Sequence, residues 1–386
     1  MNDLNSYGYF HVTILKLVSE IGLNLSKPLT NMLSLLIVCL LEDNKAHISR
    51  FGESLAVNGP SEMACIQRIR RFLSNKKLSP SITLLPLIRL MRPLLSKLPE
   101  IVLTMDRTDW EKRLKYINIL SVAVSYKGRA LPLFWFVLGR KGNSSLEHWK
   151  QVLTPVIKGL QQMEWLSGKP ILVVADREFA SPKLAEWLKN TYGVEATLRI
   201  KASMYTKSEN MPETKIAELI KKMGKGLQRV LHNQIITRDS TFKMNVVLIW
   251  EEKYNEAMVV ATTLNNPYKA NKVYGKRFGI EPMHKDWKTN AFYLENTRVT
   301  DPKRIETLLI PIAFAYILCV FEGERKEEVD EVIKPPKGKE RVVGLFLSGL
   351  REISTKLKRA GIKHFRIFIK ILLQPFFKAW KIPTFI

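Results

Sequence analysis

The stretch "IVLTMD" (residues 101–106) is the first of four short runs rich in β-branched and aromatic residues. The other three are "YINILSVAVSY" (116–126), "ALPLFWFVL" (130–138) and "PILVVAD" (170–176), and polar, glycine or proline positions bound each run. Such runs are typical of β-strands. The first three predict a meander, and the first and fourth end in aspartates, Asp106 and Asp176.

Helical patterns alternate with these runs. The segment "SLEHWKQVLTPVIKGLQQMEWL" (145–166) has apolar residues at helical spacing, and "SPKLAEWLKN" (181–190) opens with the Ser-Pro pair that is typical of a helix start. Three strands followed by helix, strand and helix predict an α/β layered core. Strand-like runs then fill about 200–265, a helical run covers 268–290 and an apolar helix covers 305–321.

The two ends of the chain differ from this central part. Residues 1–95 show helical patterns with clustered cations at "RIRRFLSNKK" (68–77), which predicts a helical DNA-binding domain, with a solvated helix face as the alternative. A polar linker with paired prolines, "KEEVDEVIKPPKGKER" (326–341), precedes a basic tail. The tail is expected to face DNA, a partner protein or lipid, and the sequence does not distinguish these three alternatives. The predicted domains are 1–95 (helical), 96–200 and 267–325 (the two parts of the core), 201–266 (a β-rich insertion) and 326–386 (the basic C-terminal region).

The charge of the chain is strongly unbalanced. Its 386 residues contain 61 Lys and Arg against 36 Asp and Glu, a formal net charge of +25, and 46% of them are hydrophobic. The apolar content is sufficient for one large core or two to three smaller ones. The charge favours a polyanionic partner, with nucleic acid ahead of a membrane, over a basic but unspecialised enzyme.

Cysteine usage and hydropathy indicate a cytoplasmic protein. Cys39, Cys65 and Cys319 are odd in number and widely spaced, which supports neither a disulfide framework nor a zinc site. The N-terminal residues lack the pattern of a secretory signal. The apolar runs at 32–41 and 308–321 are shorter than the roughly 20 residues that span a bilayer, so both are predicted to be buried helices. The second leaves a membrane-associated protein as an alternative.

The stretch "YGKRFGIEPMHKDWK" (274–288) places four polar side chains at helical spacing. In a helix, Tyr274, Arg277, Glu281 and Lys288 fall within an arc of about 60° and share a face. Such a face binds phosphate at its cations and a metal at its carboxylate. The alternative is an exposed, salt-bridged surface helix in which Arg277 pairs with Glu281. Pro282 is expected to kink the helix.

Three carboxylates of the predicted core are candidates for a metal site. Asp106 and Asp176 end neighbouring strands, and together with Glu281 they offer three oxygen ligands around one point. A strand-end aspartate alone is commonly a turn or helix cap. Divalent ions prefer such ligands, and a pair of them activates the attacking oxygen and stabilises the leaving one in phosphoryl transfer.

At these motifs the chain resembles a known family. "MDRTDW" (105–110) is similar to its Asp-x-Thr motif, "VVADREF" (173–179) to its Asp-Arg-Glu motif, and the spacing of Tyr274, Arg277, Glu281 and Lys288 to the Tyr-Arg-Glu-Lys signature of DDE transposases of bacterial insertion sequences. The resemblance covers roughly residues 100–325. It implies an RNase H-like mixed sheet with flanking helices, interrupted by the β-rich insertion.

The resemblance also implies roles for individual residues. Asp106, Asp176 and Glu281 would be catalytic and bind two Mg²⁺ or Mn²⁺ ions, and Tyr274, Arg277 and Lys288 would hold DNA backbone phosphates. Family members that form a DNA hairpin often carry a tryptophan at the position that aligns with Met258; Trp250 is either its substitute in DNA binding or a packing residue.

Three other residues compete for a place in the site. Asp109 and Glu178 lie beyond the predicted strand ends and are expected to be loop carboxylates close to the ligands. His284 lies one helical turn beyond Glu281 and is expected to be a surface histidine, with DNA contact as the alternative.

The sequence therefore predicts a nucleoid-associated DNA transposase, homodimeric on double-stranded DNA and not membrane-bound. It would cleave element ends and transfer strands into target DNA. The alternatives are an RNase H-like nuclease that does not join DNA and a transposase-derived DNA-binding protein that is not catalytic.

Overall fold

A computed structural model of the protein describes residues 6–56, 60–112, 114–237, 240–329, 344–359 and 362–379. The chain begins with helices, as predicted for residues 1–95, although the domain boundaries stay predictions. These helices are α1 (Ser6–Glu20), α2 (Lys27–Asp43), α3 (Ile48–Ala56), α4 (Glu62–Leu73), α5 (Pro80–Leu90) and α6 (Arg92–Leu95). Ser61 caps α4 by accepting a hydrogen bond from the Ala64 N–H, and Pro80 opens α5.

The predicted α/β core follows. Its elements are β1 (Ile101–Lys112), β2 (Lys115–Tyr126), β3 (Arg129–Val137), α7 (Leu146–Gln161), β4 (Ile171–Ala175), α8 (Pro182–Tyr192) and β5 (Glu195–Arg199). Strands β1 to β3 form the predicted antiparallel meander, and β4 lies parallel to β1 on its other side, followed by β5 parallel to β4. The strand order is therefore β3-β2-β1-β4-β5. Helices flank a mixed sheet, which confirms the predicted fold class.

Strand β1 is longer than its apolar run. The prediction that it ends at Asp106 is wrong, because β1 continues to Lys112 and stays paired with β2 as far as Lys112↔Lys115. Residues 107–112 are mostly polar, so apolar burial alone does not explain their β conformation. Cross-strand hydrogen bonds to β2 stabilise it. The pairing of β1 with β4 does stop at Met105↔Ala175, one residue before each aspartate.

The strands of the predicted insertion extend the same sheet. The elements here are β6 (Tyr205–Ser208), β7 (Met211–Lys215), α9 (Ile216–Lys221), β8 (Leu227–Gln234), β9 (Met244–Trp250) and β10 (Met258–Thr262). Strand β10 pairs antiparallel with β5, and β9 and β8 follow, giving an eight-stranded sheet of order β3-β2-β1-β4-β5-β10-β9-β8. Strands β6 and β7 form a separate two-stranded sheet.

The segment predicted as one helical run at 268–290 is broken into short pieces. Helix α10 (Ala270–Gly275) leads into a 3₁₀ turn (Lys276–Gly279), then α11 (Ile280–Lys285) and a π-helical turn (Asp286–Asn290). At Gly279 a Cβ atom would lie 2.6 Å from the Arg129 carbonyl oxygen, so this segment rests directly on the backbone of β3. That close contact requires glycine.

Helix α12 (Pro302–Val329) is the central helix of the core and is followed by α13 (Leu345–Arg359) and α14 (Ile362–Ala379). Among the described residues, α12 alone is long and apolar enough to cross a membrane, but its apolar window is fully buried in the protein. This confirms the prediction of a buried helix around 308–321. The predicted linker lies outside the described residues from 330 onward, and all three cysteines are buried and free.

Candidate active site

Asp106 and Asp176 lie side by side at one edge of the sheet. The parallel register of β1 and β4 runs from Ile101↔Ile171 to Met105↔Ala175, and each aspartate is the next residue along its chain. Neighbouring strands are about 4.8 Å apart, so the two backbones meet here although 69 residues separate them in the sequence. Asp106 Oδ1 accepts a hydrogen bond of 2.8 Å from the Arg107 N–H.

The segment 270–290 brings the remaining polar residues to this edge. Tyr274 is fully buried, and its hydroxyl donates a hydrogen bond of 3.2 Å to Asp176 Oδ1. Arg277 Nη1 lies 3.3 Å from Asp106 Oδ2, and Arg277 Nη2 donates to Glu281 Oε1 at 2.5 Å. The three carboxylates are thus joined through Tyr274 and Arg277, and the broken helical segment still presents its polar side chains to the strand ends.

Arg277 is buried, which corrects the expectation of an exposed cation. Only 3% of the residue is accessible, and its guanidinium packs 4.9 Å from the centre of the Phe278 ring. Its Nε is a buried nitrogen without a hydrogen-bond partner. The Arg277–Glu281 pair that the surface-helix alternative requires is present, yet the same guanidinium also contacts Asp106. An exposed surface helix therefore does not describe this segment.

The electrostatics of Asp106 are those of a crowded carboxylate. Burial raises its pKa to about 6, and the nearby charges of Asp176 and Glu281 act in the same direction. The Arg107 N–H and the Arg277 guanidinium oppose this shift without cancelling it. Burial is the largest cause of the shift, and a cation placed beside Asp106 would favour its ionised form.

Lys288, from the π-helical turn, contacts β1 at a point beyond Asp106. Its Nζ donates to the Asp109 carbonyl oxygen at 2.9 Å, forms an ion pair with Glu295 at 3.1 Å and lies 5.7 Å from the centre of the Trp110 ring. Lys288 is therefore half-buried beside the extension of β1 that the sequence did not predict.

The donor chemistry of the three carboxylates fits a divalent cation, since all offer hard oxygen ligands. Their present spacing differs from that of a metal centre: among the described residues, no three His, Cys, Asp or Glu side chains are grouped closely enough to hold a metal ion. The Arg277 guanidinium lies between Asp106 and Glu281 instead. The Glu281 side chain is 55% exposed, so its carboxylate lies on the solvent side of this pair.

The tryptophan position in the insertion is also defined. Trp250 ends β9, and its indole N–H donates to the Tyr254 carbonyl oxygen at 3.2 Å. Met258 begins β10 and packs against a small apolar cluster that includes Tyr274 and Ala270. Met258 therefore lies next to the segment 270–290, and the proposed DNA contact of Trp250 stays a prediction.

The competing residues are structural neighbours of the site. Asp109 lies within β1, not beyond it as expected, and accepts a short hydrogen bond from the Tyr116 hydroxyl. Glu178 forms an ion pair of 3.0 Å with Arg107. The expectation that His284 is a surface residue is wrong: it is buried, and a hydrogen bond of 2.8 Å joins its Nε2 to Ser121 Oγ. Burial lowers its pKa to about 3, so it is neutral.

Two residues of the site were not singled out from the sequence. Arg199 ends β5, and its Nη1 lies 3.7 Å from Asp176 Oδ1. It follows "EATL", which has only two apolar residues, so its strand-end signal was weaker than that of Asp176. Ser121 faces Asp106 across the β1–β2 pairing and had no sequence signal, since it lies inside an apolar strand.

Comparison with known sequences agrees with this geometry. The family model described as "Transposase DDE domain" matches residues 98–318, more than half of the chain, and the matched part contains β1 to β10 and the broken segment. No curated protein matches the chain.

Proposed function

The chain belongs to the family of transposase DDE domains, which supports a transposase-type function, and from this premise we propose that it cleaves DNA at the ends of an insertion sequence and joins them to target DNA. We further assign it to the group with the Tyr-Arg-Glu-Lys signature. The observation that carries the proposal is the junction of Asp106, Asp176 and Glu281 through Tyr274 and Arg277.

The carboxylates have the role of ligands in this proposal. Asp106, Asp176 and Glu281 would hold two Mg²⁺ or Mn²⁺ ions, and the exposed Glu281 would leave Arg277 to do so. When bound, such ions lower the pKa of an attacking water or 3′-hydroxyl and stabilise the leaving oxygen. The closeness of Asp176 and Glu281 to Asp106, close enough for both charges to act on its pKa, supports this assignment.

The cations beside these carboxylates have the role of phosphate ligands. Together with Tyr274, the cations Arg277 and Lys288 are proposed to hold the DNA backbone near the scissile bond. The guanidinium of Arg277 would bind a phosphate through charge-assisted hydrogen bonds once Glu281 had turned away from it. The net charge of +25 supports double-stranded DNA as the ligand. Trp250 as a base-stacking residue and a homodimer on DNA belong to the same proposal.

The experiment uses the DNA that flanks the coding sequence. Labelled duplexes from both flanks are incubated with the protein and Mg²⁺, and nicking at the element boundary and joining to a target plasmid are measured. Boundary-specific nicking together with joining supports the proposal. Nicking without joining identifies a nuclease, binding without nicking identifies a non-catalytic DNA-binding protein, and no interaction with any duplex overturns a function on DNA.

A further inference from the structure

The loop between β3 and α7 (residues 138–145, "LGRKGNSS", the β3–α7 loop) is hydrogen-bonded to side chains of β1, β2 and the turn after β4. Its residues 139–143 are exposed, yet its carbonyl groups are bound from below. The buried Asn118 donates from Nδ2 to the Arg140 and Gly142 carbonyl oxygens, both at 3.0 Å. An exposed loop normally leaves such groups to water.

The same loop is bound by an ion pair between two residues that follow the aspartates, Arg107 within β1 and Glu178 in the turn after β4. Arg107 follows Asp106, Glu178 lies two residues after Asp176, and Arg107 Nε is 3.0 Å from both carboxylate oxygens of Glu178. Arg107 Nη1 also donates to the Gly142 carbonyl oxygen at 3.0 Å. Glu178 Oε1 in turn accepts from the Ser144 N–H at 3.1 Å and from its hydroxyl at 2.8 Å.

The position of the loop is thereby tied to the carboxylate site. Any displacement of the loop would break its hydrogen bonds to Arg107 and Glu178, each at most two residues from a proposed metal ligand. The pair is largely shielded, with 15% and 20% of the two side chains exposed, so its interactions are stronger than those of a surface ion pair.

The loop presents two adjacent cations, Arg140 and Lys141, both on exposed residues. Lys141 Nζ lies 5.9 Å from the centre of the Tyr116 ring, and Tyr116 donates to the side chain of Asp109. Lys288 binds the Asp109 carbonyl oxygen from its own segment. Lys141 of the loop and Lys288 of the segment 270–290 are therefore both connected to Asp109 of β1, Lys141 through Tyr116 of β2 and Lys288 directly.

We propose that the β3–α7 loop is a preformed binding site for the DNA backbone, in which Arg140 and Lys141 hold phosphates next to the scissile position and Arg107 and Glu178 are positioning residues. This inference rests on the proposed function. The hydrogen bonds from Arg107, Asn118 and Glu178 order the loop before DNA binds. An ordered loop loses less conformational entropy on binding DNA, which favours affinity.

The first test measures binding of a labelled duplex by fluorescence anisotropy over a range of salt concentrations. Arg140→Ala combined with Lys141→Ala is expected to weaken binding and to reduce the log–log salt slope by about 2, one unit for each phosphate that the variant no longer binds. The matched control is Lys221→Ala combined with Lys222→Ala, two adjacent cations on exposed residues at the end of α9. The control is expected to keep the wild-type slope.

The outcomes separate this inference from the proposed function. A wild-type protein without salt-dependent DNA binding overturns both. A wild-type protein with a steep slope and a loop variant with the same slope overturn the loop alone. An equal reduction in the control also overturns the loop site, since net charge would then explain the weaker binding.

The second test addresses positioning through Glu178→Gln. This change weakens the pair with Arg107 and removes a negative charge, which by itself would tighten DNA binding. We expect Glu178→Gln to weaken DNA binding and to speed amide hydrogen exchange at 139–145. The loss of charge alone would have the opposite effect on affinity, so weaker binding would indicate a less ordered loop. Added to the double loop variant, Glu178→Gln should cause no further loss of affinity, whereas an additive loss or unchanged exchange would refute the positioning role.

Discussion

Arg277 and Asp106 are 171 residues apart in the chain and form an ion pair in the protein, with Nη1 3.3 Å from Oδ2. The guanidinium also binds Glu281, so one buried cation contacts two carboxylates of the proposed metal site. The ion pair joins the edge of the sheet to the broken helical segment. Arg277 is consequently a structural residue as well as a proposed DNA ligand, and the two roles lead to separate predictions.

Arg277→Ala is expected to lower the free energy of unfolding by about 3 kcal/mol, because removing one partner of a buried pair leaves the other charge uncompensated. Lys288→Ala should cost at most about 1 kcal/mol, since Lys288 is half-buried and its partner Glu295 is 32% exposed. Urea denaturation measures both. If the proposed function holds, both variants also lose DNA cleavage, while a stable Arg277→Ala protein would contradict the structural role.

Asp106→Asn, Asp176→Asn and Glu281→Gln are each expected to abolish cleavage and to leave DNA affinity within several-fold of the wild type. The reason is that metal ligands act on the transition state and contribute little to backbone attraction. Cleavage and anisotropy assays with Mg²⁺ measure the two effects. The control is Glu256→Gln, an exposed carboxylate of the β9–β10 connection. A variant of the three that still cleaves at the wild-type rate would remove its residue from the site.

His284 predicts a pH dependence of stability. Its pKa is lowered to about 3 by burial, with Lys288 and Arg277 acting in the same direction, whereas an unfolded histidine titrates at about 6.5. Between these values the unfolded chain binds more protons, so this residue makes the protein less stable as the pH falls from about 6.5 toward 3. His284→Gln should reduce that loss of stability.

The measurement compares urea denaturation at about pH 7.5 and about pH 5, with the difference between wild type and variant attributed to this residue. His232→Gln is the matched control, because His232 is exposed on β8. An equal pH dependence in wild-type protein and His284→Gln would contradict the buried, neutral state of His284.

Gly349 predicts a packing defect between α12 and α13. A Cβ atom there would lie 1.8 Å from the Cys319 carbonyl oxygen, so Gly349→Ala must separate the helices and is expected to cost about 1–3 kcal/mol. Gly275→Ala is the control, because no atom lies within 4 Å of its Cβ position and alanine is the better helix former. Thermal melts compare the two, and equal melting temperatures would show that the helices do not meet as described.

Much of the fold follows from the sequence because its signals are local. The apolar runs that became β1 to β4 and the apolar helix around 308–321 owe their structure to periodicity and β-propensity, which neighbouring residues determine. The same holds for the two aspartates, since each follows a short apolar run. The helical spacing of Tyr274, Arg277 and Glu281 likewise marked side chains that meet at the carboxylate site.

Tertiary structure decided what depends on partners distant in the chain. Strand β1 extends past Asp106 because β2 supplies hydrogen bonds, and the segment 270–290 is broken where Gly279 meets the backbone of Arg129. The burial of Arg277 and His284 depends on the elements packed around them. The sequence next to a polar residue does not show whether distant elements will cover it and provide it with hydrogen-bond partners. Periodicity therefore determined the elements and the candidate ligands, whereas long-range packing determined which charges are buried and what neutralises them.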